Sequence, residues 1–225
     1  MDAAELRFED HGAARHDRAA LSVLEELETA LSECPTGRPG VRLRGRSALA
    51  SLLASDRAIG RIAADRIGSA ALPVRAVLFD KTPGINWALG WHQDRTVAVS
   101  DRHDVPGFGP WSIKAGIVHV EPPFAVIEAM VTLRIHLDDV PDDNAPLLIA
   151  PGSHREGRIA EAQLGDVVAR CGTSVCVARR GDVWVYSTPI VHASAVSAGH
   201  AHRRVLQVDY AAAQLPTPLS WLGIE

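Results

Sequence analysis

The spacing of apolar positions changes character once along the chain. In "DRAALSVLEELETALSE" the leucines at 21, 24, 27 and 31 recur every three or four residues, which forms one apolar stripe on a helix. The next stretch, "CPTGRPG", stops that helix, because its prolines and glycines cannot continue it. "SALASLLASDRAIGRIAADRIG" then predicts one or two further helices, with Ser47 and Ser55 as caps and Gly68 as the stop.

From Pro73 the period shortens to that of strands. "VRAVLFD", "AMVTLRIHLDD", "PLLIAP", "SVCVARRGDVWVYST" and "RRVLQVDYA" are rich in β-branched and aromatic residues and are separated by Pro, Gly, Asn and Asp. Short strands at this spacing predict a sandwich or barrel rather than alternating βαβ units. The expected layout is one domain. Residues 1–72 would be mostly helical support, 73–211 the β core and 212–225 a C-terminal tail.

Bulk properties narrow the functional classes. The 225 residues carry a net charge of −4, and no basic cluster with interleaved aromatics occurs, so nucleic acid is not an expected partner. An acidic N-terminus without an apolar run, and no apolar window long enough to span a bilayer, point to a cytoplasmic protein that does not enter membranes. Cys34, Cys171 and Cys176 form no CxxC pair and read as reduced packing thiols.

The chemistry concentrates in "WHQDRTVAV" (91–99). Residues i and i+2 of a strand share a face, so His92 and Asp94 can converge on one point. A facial iron site needs two histidines and one carboxylate and leaves its other positions open. His192, in "STPIVHASAV", is the best candidate for the distant histidine. Arg203 follows eleven residues later, and its planar fork suits a carboxylate. Arg204 has the opposite strand parity, and parity alone does not choose between the two. Together these residues suggest a cosubstrate acid that chelates the metal and is anchored at its far end.

Four segments carry a resemblance to a known family: "NWALGWHQD" (86–94), "LDDVPDDNAPLLIAPGSH" (137–154), "GDVWVYSTPIVHAS" (181–194) and "RRVLQVDYA" (203–211). The chain resembles the phytanoyl-CoA dioxygenase family of Fe(II)- and 2-oxoglutarate-dependent oxygenases. The resemblance covers about residues 74 to 211. It implies a mainly β protein with flanking helices: a double-stranded β-helix, or cupin-like jelly roll, under an N-terminal helical layer. It implies that His92, Asp94 and His192 are metal ligands for Fe(II). It implies 2-oxoglutarate and O2 as cosubstrates, with Arg203, by the family spacing, and Ser194 holding the distal carboxylate of the keto acid. Gln93 matches a recurring cosubstrate contact, although simple alternation turns it away from the metal. His154 belongs to the family loop and is expected to hold that loop together. The retained carboxylate favours hydroxylation over halogenation.

The remaining candidates come from the residues themselves. Lys81 and Asn86, in "FDKTPGINW", precede the metal strand where a cosubstrate or substrate could meet them. In "VTLRIHL" the polar Thr132, Arg134 and His136 share one face. If that face lines the barrel mouth, Arg134 and His136 become contacts for a small polar or acidic substrate. If it meets solvent, they do not. The family tends to carry an aromatic where Arg134 stands, and Asn-Gly where this chain has Asn144-Ala145. Phe108 and Trp111 lie in the long Gly/Pro-punctuated stretch 102–123 and could close over a substrate or tuck into the core. His103, His119, His200 and His202 have no nameable partner. The alternative function is a non-catalytic or non-oxidative cupin-like metal-binding protein. Desaturation or cyclisation would be alternative outcomes at the same iron.

Overall fold

The alternation in "VTLRIHL" becomes a sheet with two unlike faces. The structure is a computed structural model and describes residues 5–35, 38–82, 84–198 and 202–225. Its largest sheet has six antiparallel strands. In spatial order these are β1 (Ala13–His16), β11 (Val183–Ser187), β8 (Val131–His136), β13 (Arg203–Ala211), β3 (Leu72–Lys81) and β2 (Gly40–Leu43). Opposite it lies a four-stranded sheet of β10 (Ser174–Cys176), β9 (Leu147–Ile149), β12 (His192–Ser194) and β4 (Leu89–His92). The two sheets form the jelly roll. A small third sheet of β5 (Val97–Ala98), β7 (Ile117–Val120) and β6 (Trp111–Lys114) flanks them.

One face of the large sheet is apolar. Leu133, Ile135, Val183, Val185, Leu206 and Val208 are fully or almost fully buried in one cluster. After the single turn α1 (Phe8–His11), helices α2 (Leu24–Leu31), α3 (Ser47–Leu52) and α4 (Ala58–Ile67) pack over them. The predicted leucine stripe does this work, since Leu24, Leu27 and Leu31 are buried against the sheet. Each such leucine contributes about 1.5–3 kcal/mol by leaving water. The Tyr210 hydroxyl donates to the Leu53 carbonyl at 2.9 Å, which ties β13 to the end of α3.

The register fixes the other face. Arg203 pairs with Lys81, Gln207 with both Val77 and Arg134, and Asp209 with Arg75 and Thr132. Polar side chains from three adjacent strands therefore point into the barrel together.

Three expectations need correction. The N-terminal region is not only helical, because β1 and β2 complete the two edges of the large sheet. Ser47 and Ser55 do not cap helices: the N-cap positions of α3 and α4 are Arg46 and Arg57, and neither makes a side-chain cap bond. Gly68 does end α4, donating its N–H to the Ala64 carbonyl at a φ of 97°. The third correction is that β4 ends at His92, so Asp94 lies in the loop just beyond the strand.

Candidate active site

His92 and His192 face each other across the β4–β12 ladder, and their ring centroids lie 4.2 Å apart. Asp94 joins them from the loop after β4. One ligand atom from each of the three residues lies within 4.8 Å of the others. The tautomers follow from the backbone. His92 Nδ1 meets the Gly90 carbonyl at 2.8 Å and His192 Nδ1 meets the Ile190 carbonyl at 2.9 Å. A carbonyl only accepts, so each Nδ1 carries the proton and each Nε2 keeps a lone pair. Asp94 Oδ2 is buried without a hydrogen bond. Two imidazoles and one carboxylate with free lone pairs fit an iron(II) ion that keeps open positions.

Arg75 governs the carboxylate. It bonds Asp209 at 2.5 Å and lies 3.5 Å from Asp94. Burial alone would raise the Asp94 pKa, but Arg75, followed by His192 and His92, outweighs it and holds the group below its ordinary value. Asp209 also accepts from the Thr132 hydroxyl at 3.0 Å. His192 is pushed down to about 4 by burial and then by His92, so it stays neutral and available as a ligand.

Beside the triad lies a group of cations without a carboxylate among the described residues. Arg203 is 2% exposed, and its Nε and Nη2 are buried without a partner. Lys81 is 1% exposed. It donates to the Trp87 and Ala195 carbonyls, each at 2.7 Å, and to Ser194 Oγ at 2.9 Å. Burial and then Arg203 and Arg134 push the Lys81 pKa down to about 7. Burial and then Arg134 push Arg203 down to about 9. Unpaired buried cations are costly, and a dianion would answer them. A cavity of about 230 Å³ opens beside the triad, bounded by both main sheets and by Lys114 of β6. Two wider surface clefts, near Arg15 and near Glu25, have no metal-binding cluster among the described residues.

The family model described as phytanoyl-CoA dioxygenase (PhyH) matches residues 36–205. The chain belongs to that family. Its general chemistry is therefore oxygenation at a non-haem iron with 2-oxoglutarate as cosubstrate. Solved structures share the fold. AviO1 from Streptomyces viridochromogenes Tue57 is 22% identical with a TM-score of 0.64, covering 96% of this chain and 97% of its own. HygX from Streptomyces hygroscopicus, solved with nickel and 2-oxoglutarate bound, is 15% identical with a TM-score of 0.61, covering 95% of this chain and 86% of its own. SnoK, a non-heme alpha ketoglutarate dependent carbocyclase from nogalamycin biosynthesis, is 20% identical with a TM-score of 0.57, covering 93% and 85%. No curated protein sequence matches.

Within this PhyH-family chain the sequence candidates separate. Arg203 points inward. Arg204 points outward and is bound by Asp138 and Glu28 at 2.6 and 3.0 Å. Arg134 lines the cavity, donates to Gln207 Oε1 at 2.9 Å, and lies over the Phe79 ring. Its face is therefore the barrel interior, not solvent. His136 is fully buried, both ring nitrogens lack partners, and it does not line the cavity.

Two expected cosubstrate contacts have their amides occupied elsewhere. Gln93 donates to the Gly157 and Pro189 carbonyls at 2.9 and 2.8 Å and accepts from the Ile159 N–H at 2.9 Å. It pins the loop behind the metal strand. Asn86 exchanges two hydrogen bonds with the Ser197 backbone, which fixes the chain just after Ser194. Phe108 and Trp111 pack against a satellite core that includes Val97, Val120 and Leu219, not over the cavity. The stretch 102–123 is therefore largely a pinned hairpin.

The sequence missed Arg75, Arg42 and Lys114. All three line the cavity. The parity of Arg42 and Lys114 was hidden because β2 and β6 are four residues each. Arg75 lies on the legible strand β3 and shares the parity of Lys81, without the i+6 spacing suggesting a common site. His154 sits against Gly12, where an added Cβ would lie 2.2 Å from its ring. His119 is buried, His202 lies 3.2 Å from Asp80, and His200 lies outside the described residues. Ala145 keeps the left-handed turn with φ 50° although it is not glycine.

Proposed function

We propose that this chain hydroxylates a small polar or acidic metabolite, releasing succinate and carbon dioxide from 2-oxoglutarate. The observation that carries the reading is the convergence of His92, Asp94 and His192 within 4.8 Å beside the unpaired Arg203. His92, Asp94 and His192 would hold the iron. When bound, iron with 2-oxoglutarate and O2 supplies the oxidation of a substrate C–H bond.

The chain's own residues do the rest. Arg203, Lys81 and Ser194 would hold the distal carboxylate of 2-oxoglutarate. Lys81 spends its three N–H donors on two carbonyls and the Ser194 hydroxyl, so it would act on the anion through its charge and by orienting Ser194, with Arg203 supplying the direct hydrogen bonds. Arg75 keeps Asp94 ionised and oriented, the second-sphere role that steadies a metal ligand. Tyr186, fully buried, lies tilted against His192 at 5.7 Å between centroids and would help exclude water. Arg134, on the cavity wall, would meet cosubstrate or substrate. The carbocyclase SnoK shares this fold, so substrate geometry, not the barrel, would decide between hydroxylation and ring closure.

The test is the visible charge-transfer band of a chelated keto acid, read without oxygen after adding Fe(II) and 2-oxoglutarate. The band is expected in the wild type and absent in His192→Ala. Arg203→Ala should need at least about thirtyfold more 2-oxoglutarate, as for truncating one side of a buried charge pair. No band in a folded, iron-loaded wild type overturns the reading in favour of a structural metal site.

A further inference from the structure

The charges around the triad do not balance even when the cosubstrate is counted. Six cations point into the barrel or line its cavity: Arg42, Arg75, Lys81, Lys114, Arg134 and Arg203. Two carboxylates answer them, Asp94 and Asp209, and both are taken by Arg75. Iron(II) and dianionic 2-oxoglutarate would cancel one another. Four positive charges then stay unanswered in and beside a cavity of about 230 Å³, which Arg42, Arg75, Lys114 and Arg134 line and Lys81 and Arg203 do not; low dielectric makes them costly.

These cations sit at two levels. Lys81 and Arg203 face each other at one level of the sheet. Arg42 pairs with Val77, four residues along β3 from Lys81, about 13 Å away at the rise of an extended strand. One short keto acid anchored at Arg203 and Lys81 does not reach Arg42 as well as the iron. Arg42 Nε is buried with no hydrogen-bond partner, and no carboxylate among the described residues pairs with Arg42. Lys114 arrives from the other side, at the end of β6, and its ammonium donates to Thr96 Oγ1 at 3.0 Å. Both line the cavity together with the triad. Burial and then Arg75 depress the pKa of each; Asp94 pulls that of Lys114 back up only in part, and Arg42 lowers it further.

We propose that Arg42 and Lys114 clamp an anionic group of the primary substrate, a carboxylate or phosphate monoester, at the cavity end opposite the Arg203 anchor. The inference rests on the iron and 2-oxoglutarate reading and names the substrate class for it. Arg42 supplies the planar fork that takes two oxygens at once, and Lys114 a point charge. The pair determines specificity: a neutral analogue would leave both cations unanswered. The small cavity calls for a compact molecule, since larger ligand sites run to about 300–1,000 Å³.

The test uses the full chain loaded with Ni(II) and 2-oxoglutarate, so that nothing turns over. Inorganic phosphate, benzoate and neutral benzamide are titrated in by calorimetry. At least one anion is expected to bind saturably, with benzamide much weaker. Preference for phosphate identifies a phosphate monoester, and preference for benzoate a carboxylate. Affinity should fall about tenfold in Arg42→Met and in Lys114→Met, and Arg42→Lys should recover part of the loss. The affinity for 2-oxoglutarate should move less than about twofold in the same variants, because its anchor is separate. Equal anion binding in wild type and in the double variant overturns the clamp, as does no saturable binding of either anion while 2-oxoglutarate binds normally. Failure of the wild type to bind 2-oxoglutarate overturns the oxygenase reading first, and the clamp with it.

Discussion

At the scale of single residues, Arg203 and Lys81 put function in conflict with stability. Both are almost fully buried, and no carboxylate partner is found among the described residues. Arg203→Met should therefore raise the stability of the ligand-free protein by about 1–2 kcal/mol while nearly abolishing 2-oxoglutarate binding. Thermal denaturation with and without 2-oxoglutarate checks both halves. Lys81 gives a pH signature. Its pKa of about 7 in the empty site lies below the ordinary lysine value, and a bound dianion must raise it. Between those two values the complex holds a proton that the free site has lost. The affinity for 2-oxoglutarate should then fall as pH rises above 7, by up to about tenfold per unit. Calorimetry in buffers of different ionisation enthalpy should show proton uptake at pH 8. No pH dependence above 7 would count against an anion seated on Lys81.

At the scale of elements, the metal strand depends on the loop behind it. Gln93 makes three hydrogen bonds to the backbone of residues 157, 159 and 189. Gln93→Ala leaves those groups unsatisfied and should lower stability by about 2–4 kcal/mol. Because Gln93 sits between two ligands, iron affinity should fall as well. Denaturant titration and iron titration measure the two effects. Gln93 also marks what the sequence could show. The H-x-D spacing only suggested a site, and the distant His192 became legible through the four family segments rather than through any local pattern. Which way the intervening amide turned depended on the loop at Gly157, which no local pattern reveals. β1 and β2 were missed because "AARH" and "GVRL" are too short to show a period of two and carry arginines within them. Phe108 and Trp111 were ambiguous because an aromatic in a Gly/Pro-rich segment looks the same whether it packs or closes.

At the scale of the whole molecule, one barrel carries a neutral histidine in a cationic interior. His136 is held well below its ordinary pKa by burial and then by Arg134 and Arg203. His119 is lowered to about 4, chiefly by burial. The unfolded chain takes up these protons near pH 6.5, whereas the folded chain does not. Stability is therefore complete above pH 6.5 and is lost as pH falls below it, by up to about 1.4 kcal/mol per unit for each histidine. The midpoint of thermal unfolding between pH 7 and 5 tests this, and His136→Asn should flatten the slope. Among the described residues no helix is long and apolar enough to cross a membrane. In the proposed reading, substrate would enter the cavity bounded by both main sheets and by Lys114 of β6.

β13 separates two kinds of selection along a single ribbon. Its residues 203, 207 and 209 face the chemistry, while 206, 208 and 210 face the helices. A saturating mutational scan of this strand, scored once for cellular abundance and once for turnover, should give two fitness traces that alternate out of phase. Substitutions at 206, 208 and 210 should deplete the protein, and substitutions at 203 and 207 should leave an abundant but silent one. Variation that retunes the enzyme can therefore accumulate on one side of the ribbon without eroding the other.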